Sequence, residues 1–178
     1  MRLNAVALYI MLLGSMVLPA PTSVSVKPQT PSLQGTYTHD APASDDINKA
    51  IDAAVKEART LARSTLRKQL HKINVAYKQI SISFSETEVS IATDQNPPLR
   101  TPLNGAPVDW TRDDGEKLKV STVWEGKNLK RTFKVDGGER VNTYSISADG
   151  KTLNMQVSVT GDYLPQPLTY KLVYQRSN

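Results

Sequence analysis

The sequence predicts a mainly β protein: an antiparallel up-and-down β-barrel of about 8–10 strands, with one long amphipathic helix inserted after the first strand. Three observations predict it. Turn signals recur at Asp114-Gly115, Glu125-Gly126, Asp136-Gly137, Asp149-Gly150 and Gly161-Asp162, at intervals of 11 to 13 residues. Between them, apolar and polar residues alternate, as strands with one buried face require. Upstream, Ile47, Ile51, Val55, Ala58, Ala62, Leu66, Leu70 and Ile73 recur at helical spacing.

Residues 1–25 read as a signal peptide. A basic start, Met1-Arg2-Leu3-Asn4, precedes the uncharged run 5–18, which is shorter than the roughly 20 residues needed to cross a bilayer. Ser23-Val24-Ser25 fits a small-x-small cleavage site better than Leu18-Pro19-Ala20. The expectation is an exported protein, periplasmic or secreted, and soluble after cleavage. The chain has no cysteine, so it has no disulfide framework, which points to a bacterial source. Residues 26–32 are polar and proline-rich and read as a linker. Residues 33–178 are expected to form a single domain, large enough to bury a core without staples.

Within that domain, residues 33–39 (LQGTYTH) read as a first strand. The helix is expected over about residues 45–74, roughly 42 Å at 1.5 Å per residue. Ser44 is its expected cap, Asp45 and Asp46 suit its positive end, and Arg63, Arg67, Lys68, His71 and Lys72 crowd its negative end. From Tyr77 the period changes to two: Ile80, Ile82 and Phe84 form one strand, and Val89 and Ile91 the next. Residues 94–107 read as irregular. A meander follows, closing with LTYKLVYQ (residues 168–175).

The turns set a register. With Glu125-Gly126 as a two-residue loop, Val120 faces Arg131. Asp136-Gly137 places Arg131 opposite Asn142 and Phe133 opposite Arg140, and Asp149-Gly150 places Tyr144 opposite Met155. A three-residue loop at 113–115 places Trp110 opposite Leu118. Opposed side chains share a face. One face therefore collects Trp110, Leu118, Val120, Trp124, Leu129, Phe133, Val135, Tyr144, Met155 and Val157, and the other collects Lys117, Lys119, Lys130 and Lys134.

Arg131 falls on the apolar face, beside Asn142, with Arg140 and Tyr144 near by. A guanidinium in an apolar interior costs several kcal/mol unless compensated, and Glu116 is the nearest acid by register. Two readings follow. In one, Arg131, Arg140, Asn142 and Tyr144 bind an anionic head group such as a carboxylate, while Trp110, Trp124 and Phe133 line the apolar part of the pocket. In the other, the network is satisfied within the protein.

The stretch from Val120 to Val159, with Trp124-x-Gly126-x-x-Leu129, Phe133 and Tyr144-x-Ile146-x-x-Asp149-Gly150-Lys151-x-Leu153, resembles the meander of the lipocalin and fatty-acid-binding (calycin) superfamily. Leu33-Gln34-Gly35-Thr36-Tyr37 is similar to the start of such barrels, with Tyr37 where a lipocalin more usually has Trp. The resemblance implies a barrel that carries a small hydrophobic or fatty-acid-like ligand, its carboxylate held by interior Arg and Tyr. The single long helix departs from it, since fatty-acid-binding barrels carry a short helix pair.

The net charge is +5, from 22 Lys and Arg against 17 Asp and Glu. That excess suits anionic ligands or an anionic membrane surface, with the basic helix end as the contact, and makes no case for nucleic acid. His39 and His71 are the only histidines and lack ligand spacing, so no metal is expected. No nucleophile elbow, phosphate loop or dinucleotide fingerprint occurs, so no cofactor and no enzyme activity is expected. The sequence thus supports an exported, lipocalin-like ligand binder. The alternative is a non-enzymatic interaction module with a filled barrel and the helix as its contact surface.

Overall fold

Ten strands form one antiparallel sheet in the order β4-β3-β2-β1-β10-β9-β8-β7-β6-β5. The structure, a computed structural model, describes residues 32–177. The expected signal peptide and residues 26–31 of the expected linker lie outside the described residues. In chain order the elements are β1 (Gly35–His39), α1 (Ile47–Val55), α2 (Thr60–Ile73), β2 (Gln79–Phe84), β3 (Glu88–Thr93), β4 (Leu99–Pro102), β5 (Val108–Thr111), β6 (Lys117–Glu125), β7 (Asn128–Val135), β8 (Gly138–Ile146), β9 (Thr152–Gly161) and β10 (Leu168–Arg176). The sheet curls into a nearly closed barrel with α1 and α2 over one end. The stretch read as irregular contains β4, which pairs with β3 from Glu88–Pro102 to Ile91–Leu99.

The helical segment is broken. Between α1 and α2 the chain turns at residues 56–59, where Ala58 N donates to Val55 O at 3.0 Å. The physical reason lies in the apolar stripe. Its ends are large and buried (Ile51, Val55, Leu70), but its middle is Ala58 and Ala62, which offer little area to hold a straight helix against the barrel. Folding back lets both halves pack, and Arg67 on α2 pairs with Asp52 on α1 at 2.8 Å.

Asp46, not Ser44, caps α1: its carboxylate accepts from Asn48 N at 2.9 Å and Lys49 N at 3.3 Å. Ser44 and Asp45 serve the sheet instead. Val173 N donates to the Ser44 hydroxyl at 2.9 Å, and Lys171 N donates to the Asp45 carboxylate at 2.7 Å. Pairing between β1 and β10 stops at His39–Tyr174, so Ser44 and Asp45 satisfy the edge of β10 that β1 leaves free.

Pairing in the meander follows the turns. Arg131–Asn142, Phe133–Arg140, Tyr144–Met155 and Trp110–Leu118 are opposed as expected. The β6–β7 hairpin differs by two residues: Glu125 pairs with Asn128, and the loop is Gly126-Lys127. Gly126 takes φ 60°, the left-handed conformation that glycine adopts without a Cβ penalty, at the first loop position rather than the second. A two-residue shift keeps every side chain on its face, but it replaces Val120 with Thr122 opposite Arg131.

At the far end of the barrel, Tyr37 is fully buried and its hydroxyl donates to Leu33 O at 2.9 Å. The Arg176 guanidinium lies 4.9 Å from the Tyr37 ring centroid and donates to Tyr37 Oη, Gln34 O, Ser32 O and Gly150 O. The last strand thereby clamps the segment that leads into β1. Leu129, Leu153, Met155 and Leu172 fill the interior and carry no measurable or almost no exposure.

Candidate ligand cavity and barrel seam

β4 and β5 end the sheet and do not pair with each other. An isolated bridge between Asn104 and Val123 and a set of side chains close this seam. Arg131 reaches from β7 across the inner face of β6: its Nε donates to Thr122 Oγ1 at 3.0 Å, and its Nη2 donates to Thr101 Oγ1 at 3.0 Å and Leu99 O at 3.2 Å, both on β4. Thr101 Oγ1 in turn donates to Thr122 Oγ1 at 2.7 Å. Arg131 is 2% exposed, and no carboxylate is among its partners. Burial lowers its pKa to about 10. The charge is held by hydroxyls and a backbone carbonyl that the sheet leaves unpaired at its edge.

A cavity of about 310 Å³ opens at the helix-covered end. Its apolar wall includes Ile73, Val75, Trp110, Leu118, Phe133, Val135 and Val159. Trp110 and Phe133 meet edge to face at 6.0 Å. The polar wall includes Lys72, Tyr77, Arg112, Asp114, Arg140 and Asn142. Lys72, at the end of α2, pairs with Asp114 in the β5–β6 turn at 3.0 Å, and Arg112 pairs with the same carboxylate at 2.8 Å. The Arg112 and Lys72 cations hold the Asp114 carboxyl well below the usual range. This ion pair ties the helical cap to the barrel rim.

Arg140 is the hinge of a second network. Its Nε donates to Asn142 Oδ1 at 2.9 Å, and its Nη1 donates to Ile73 O at 2.9 Å and Asn74 Oδ1 at 3.0 Å. Asn142 Nδ2 donates to Tyr144 Oη at 3.2 Å, and Tyr170 Oη donates to Asn74 Oδ1 at 3.0 Å. Arg140 therefore caps the carbonyl end of α2 with a cation, where the helix dipole favours one. Its Nη2 is buried and has no partner among the described residues. Burial pushes the Tyr144 and Tyr170 hydroxyls above their ordinary pKa, so both are neutral near pH 7.

The structure thus divides the residues singled out from sequence. Arg140, Asn142, Trp110 and Phe133 line the cavity, and Tyr144 stands behind Asn142. Arg131 is not a lining residue and its hydrogen bonds run to the seam. Trp124 is 44% exposed near the opposite end, stacked on Phe84 at 5.7 Å. Asn74, Tyr77, Tyr170, Lys72 and Asp114 were not singled out. Lys72, Asn74 and Tyr77 are distant in sequence from the meander, and only the docking of α2 brings them to its polar side chains, whereas Asp114 lies in the first Asp-Gly turn and Tyr170 in the last strand.

No protein-family model and no curated protein matches the chain. Solved structures do. The chain superposes on the secretary abundant heat soluble protein of Ramazzottius varieornatus with a TM-score of 0.57 at 16% identity, over 84% of this chain and 100% of that one. The fluorescent protein UnaG gives 0.55 at 18%, over 82% and 97%. Fatty-acid-binding protein 1 of Echinococcus granulosus gives 0.51 at 10%, over 82% and 98%. The chain shares the barrel fold of these structures. In this barrel, as the sequence resemblance implied, the helices follow the first strand. The helix pair also removes the one departure from the fatty-acid-binding plan.

Proposed function

We propose that the protein is a non-enzymatic binder of an elongated amphipathic anion, such as a fatty carboxylate, held in the cavity at the helix-covered end. The observation that carries this reading is the Arg140 Nη2, a buried cationic donor with no partner among the described residues, beside a cavity that has an apolar wall. Leaving such a donor unsatisfied costs about 1–3 kcal/mol. A ligand carboxylate offsets that cost through a charge-assisted hydrogen bond. Trp110, Phe133 and Val159 receive the apolar body. The cavity volume falls at the small end of the usual range for ligand sites. Solved neighbours that include a fatty-acid-binding protein add support by analogy of fold alone.

The test is equilibrium titration of delipidated protein with cis-parinaric acid and with its methyl ester. Wild-type protein binds the acid more tightly, and Arg140→Leu weakens the acid by about tenfold, or 1.4 kcal/mol, with the ester unchanged. Failure of the wild type to bind either probe, or an unchanged affinity of the variant for the acid, overturns the reading.

Two further parts of the proposal rest on sequence. The protein acts after export, in a periplasm or outside the cell, which the mature N-terminus in the producing host tests directly. The α2 surface makes weak contact with anionic membranes. It carries Arg63, Arg67, Lys68, His71 and Lys72, has no acid, and exposes Leu61 at 95%. Co-sedimentation with anionic but not neutral vesicles supports this contact, and equal binding to both removes it.

A further inference from the structure

The barrel wall beside the cavity carries an outer groove where the β6–β7 pairing ends. The β6–β7 ladder stops at Lys119–Lys134. Beyond that pair, β6 continues only with β5, through Leu118–Trp110 and Lys117–Thr111, while β7 continues only with β8, through Val135–Gly138. Two hairpins therefore part company and leave a V-shaped slot. An outer groove of about 330 Å³ lies on this slot, formed by Asp109, Lys117, Leu118, Lys119, Lys134, Val135 and Asp136. Leu118 and Val135 belong to both the groove and the inner cavity. Two apolar side chains thus form the partition between the bulk solvent side and the site beside Trp110 and Phe133.

The rim of the slot is charged in a way the fold does not need. Lys119 and Lys134 are directly opposed across the ladder, an arrangement that costs stability. Asp109 neutralises Lys119 at 2.7 Å. Lys117 and Lys134 make no salt bridge among the described residues. Three ammonium groups against two carboxylates, set over an apolar gap, match an amphiphile with an acidic head and an apolar tail.

The geometry points to a lateral doorway between β6 and β7, at which Lys117 and Lys134 capture anionic amphiphiles and from which the tail passes between Leu118 and Val135 into the cavity. This rests on the ligand reading above and adds a site to it. Lysines that capture at the rim raise the association rate, and salt weakens the effect because the groups are exposed. The Arg140 network sets affinity once the ligand is inside.

Stopped-flow uptake of cis-parinaric acid and its methyl ester by the full-length protein tests the doorway. In low salt, Lys117→Gln/Lys134→Gln slows uptake of the acid about threefold to tenfold and leaves the ester unchanged. The charge reversal Lys117→Glu/Lys134→Glu slows it further, and the differences shrink as salt is raised. A control pair of equal charge change at the far end of the barrel, Lys127→Gln/Lys151→Gln, keeps the wild-type rate. An unchanged rate in the rim variants, or an equal loss in the control, overturns the doorway while leaving the cavity reading intact. Absence of any binding by wild-type protein instead overturns the cavity reading, and the doorway with it.

Discussion

Arg131 Nε and Thr122 Oγ1 meet at 3.0 Å across the β6–β7 pair, and the same guanidinium reaches β4, so one side chain ties three strands of the open sheet together. Two terms compete in its energetics. Desolvation lowers its pKa to about 10, so burying the charge is costly. Against this stand three good hydrogen bonds from a charged donor, each contributing about 1.5–3 kcal/mol. The bonds win. Arg131→Met is expected to lower stability in urea denaturation by about 2 kcal/mol. Arg131→Lys is expected to be worse, because an ammonium keeps the desolvation cost and cannot span both threonines and Leu99 O. A lysine variant more stable than the methionine variant contradicts the seam role. Neither variant is expected to change cavity binding by much, since Arg131 does not line it.

This residue also shows how far the sequence could be read. Its alternation placed Arg131 inside, and the Asp-Gly turns placed it opposite Asn142, because both signals are local. Its hydrogen-bond partners were not legible. Thr101 and Leu99 lie about thirty positions away on β4, in a stretch whose four prolines hid the strand. Thr122 was missed because Glu125-Gly126 and Gly126-Lys127 are both acceptable two-residue loops and only the structure shows which is used. That Arg140, Asn142 and Tyr144 adjoin was legible, because they are neighbours on one face of one strand. Asn74 and Tyr170 complete that network from a helix end and the last strand, and nothing in their own neighbourhoods announces it.

The buried tyrosines set the response to alkali. Tyr37, Tyr144, Tyr170 and Tyr174 all have pKa values raised from 10.0 by burial. Each keeps its proton in the folded chain at pH values where the unfolded chain has lost it. Their contribution to stability is complete below about pH 10 and declines as pH rises above it. Arg131 acts in the opposite sense, since burial lowers its pKa to about 10 and the folded chain releases this proton before the unfolded chain does. Four phenols outweigh one guanidinium, so stability is expected to fall above pH 10. Absorbance at 295 nm should show a class of phenols that ionises only as the fold is lost. Smooth ionisation of all tyrosines with the barrel intact would falsify this.

The Lys72–Asp114 pair should hold the end of α2 against the rim. Both partners have exposed surface, so its effect on global stability is small. Its local effect is larger because it joins the last turn of α2 to the β5–β6 turn directly. Asp114→Asn is expected to speed amide hydrogen exchange at His71, Lys72 and Ile73 several-fold, with the amides of β8 and β9 unchanged. The same loosening is expected as pH falls below about 4, because the lowered Asp114 pKa makes the pair's contribution present above 3.8 and lost below it. Exchange rates that do not respond to either change would show that Arg140 alone secures the helix end.

The two tryptophans give an optical test of where the ligand goes. Trp110 lines the cavity and packs on Phe133, while Trp124 is stacked on Phe84 near the opposite end and is 44% exposed. A ligand in the cavity touches the first indole and not the second. Energy transfer from tryptophan to bound cis-parinaric acid should therefore survive Trp124→Phe with little loss and fall sharply in Trp110→Phe. Because Phe keeps most of the apolar area, the equilibrium affinity in Trp124→Phe should stay at the wild-type value, and in Trp110→Phe it should weaken by no more than about threefold to fivefold, or roughly 1 kcal/mol. Transfer that depends on Trp124 instead would place the ligand at the far end, beside Phe84, where the structure shows a packed interior and an exposed aromatic stack.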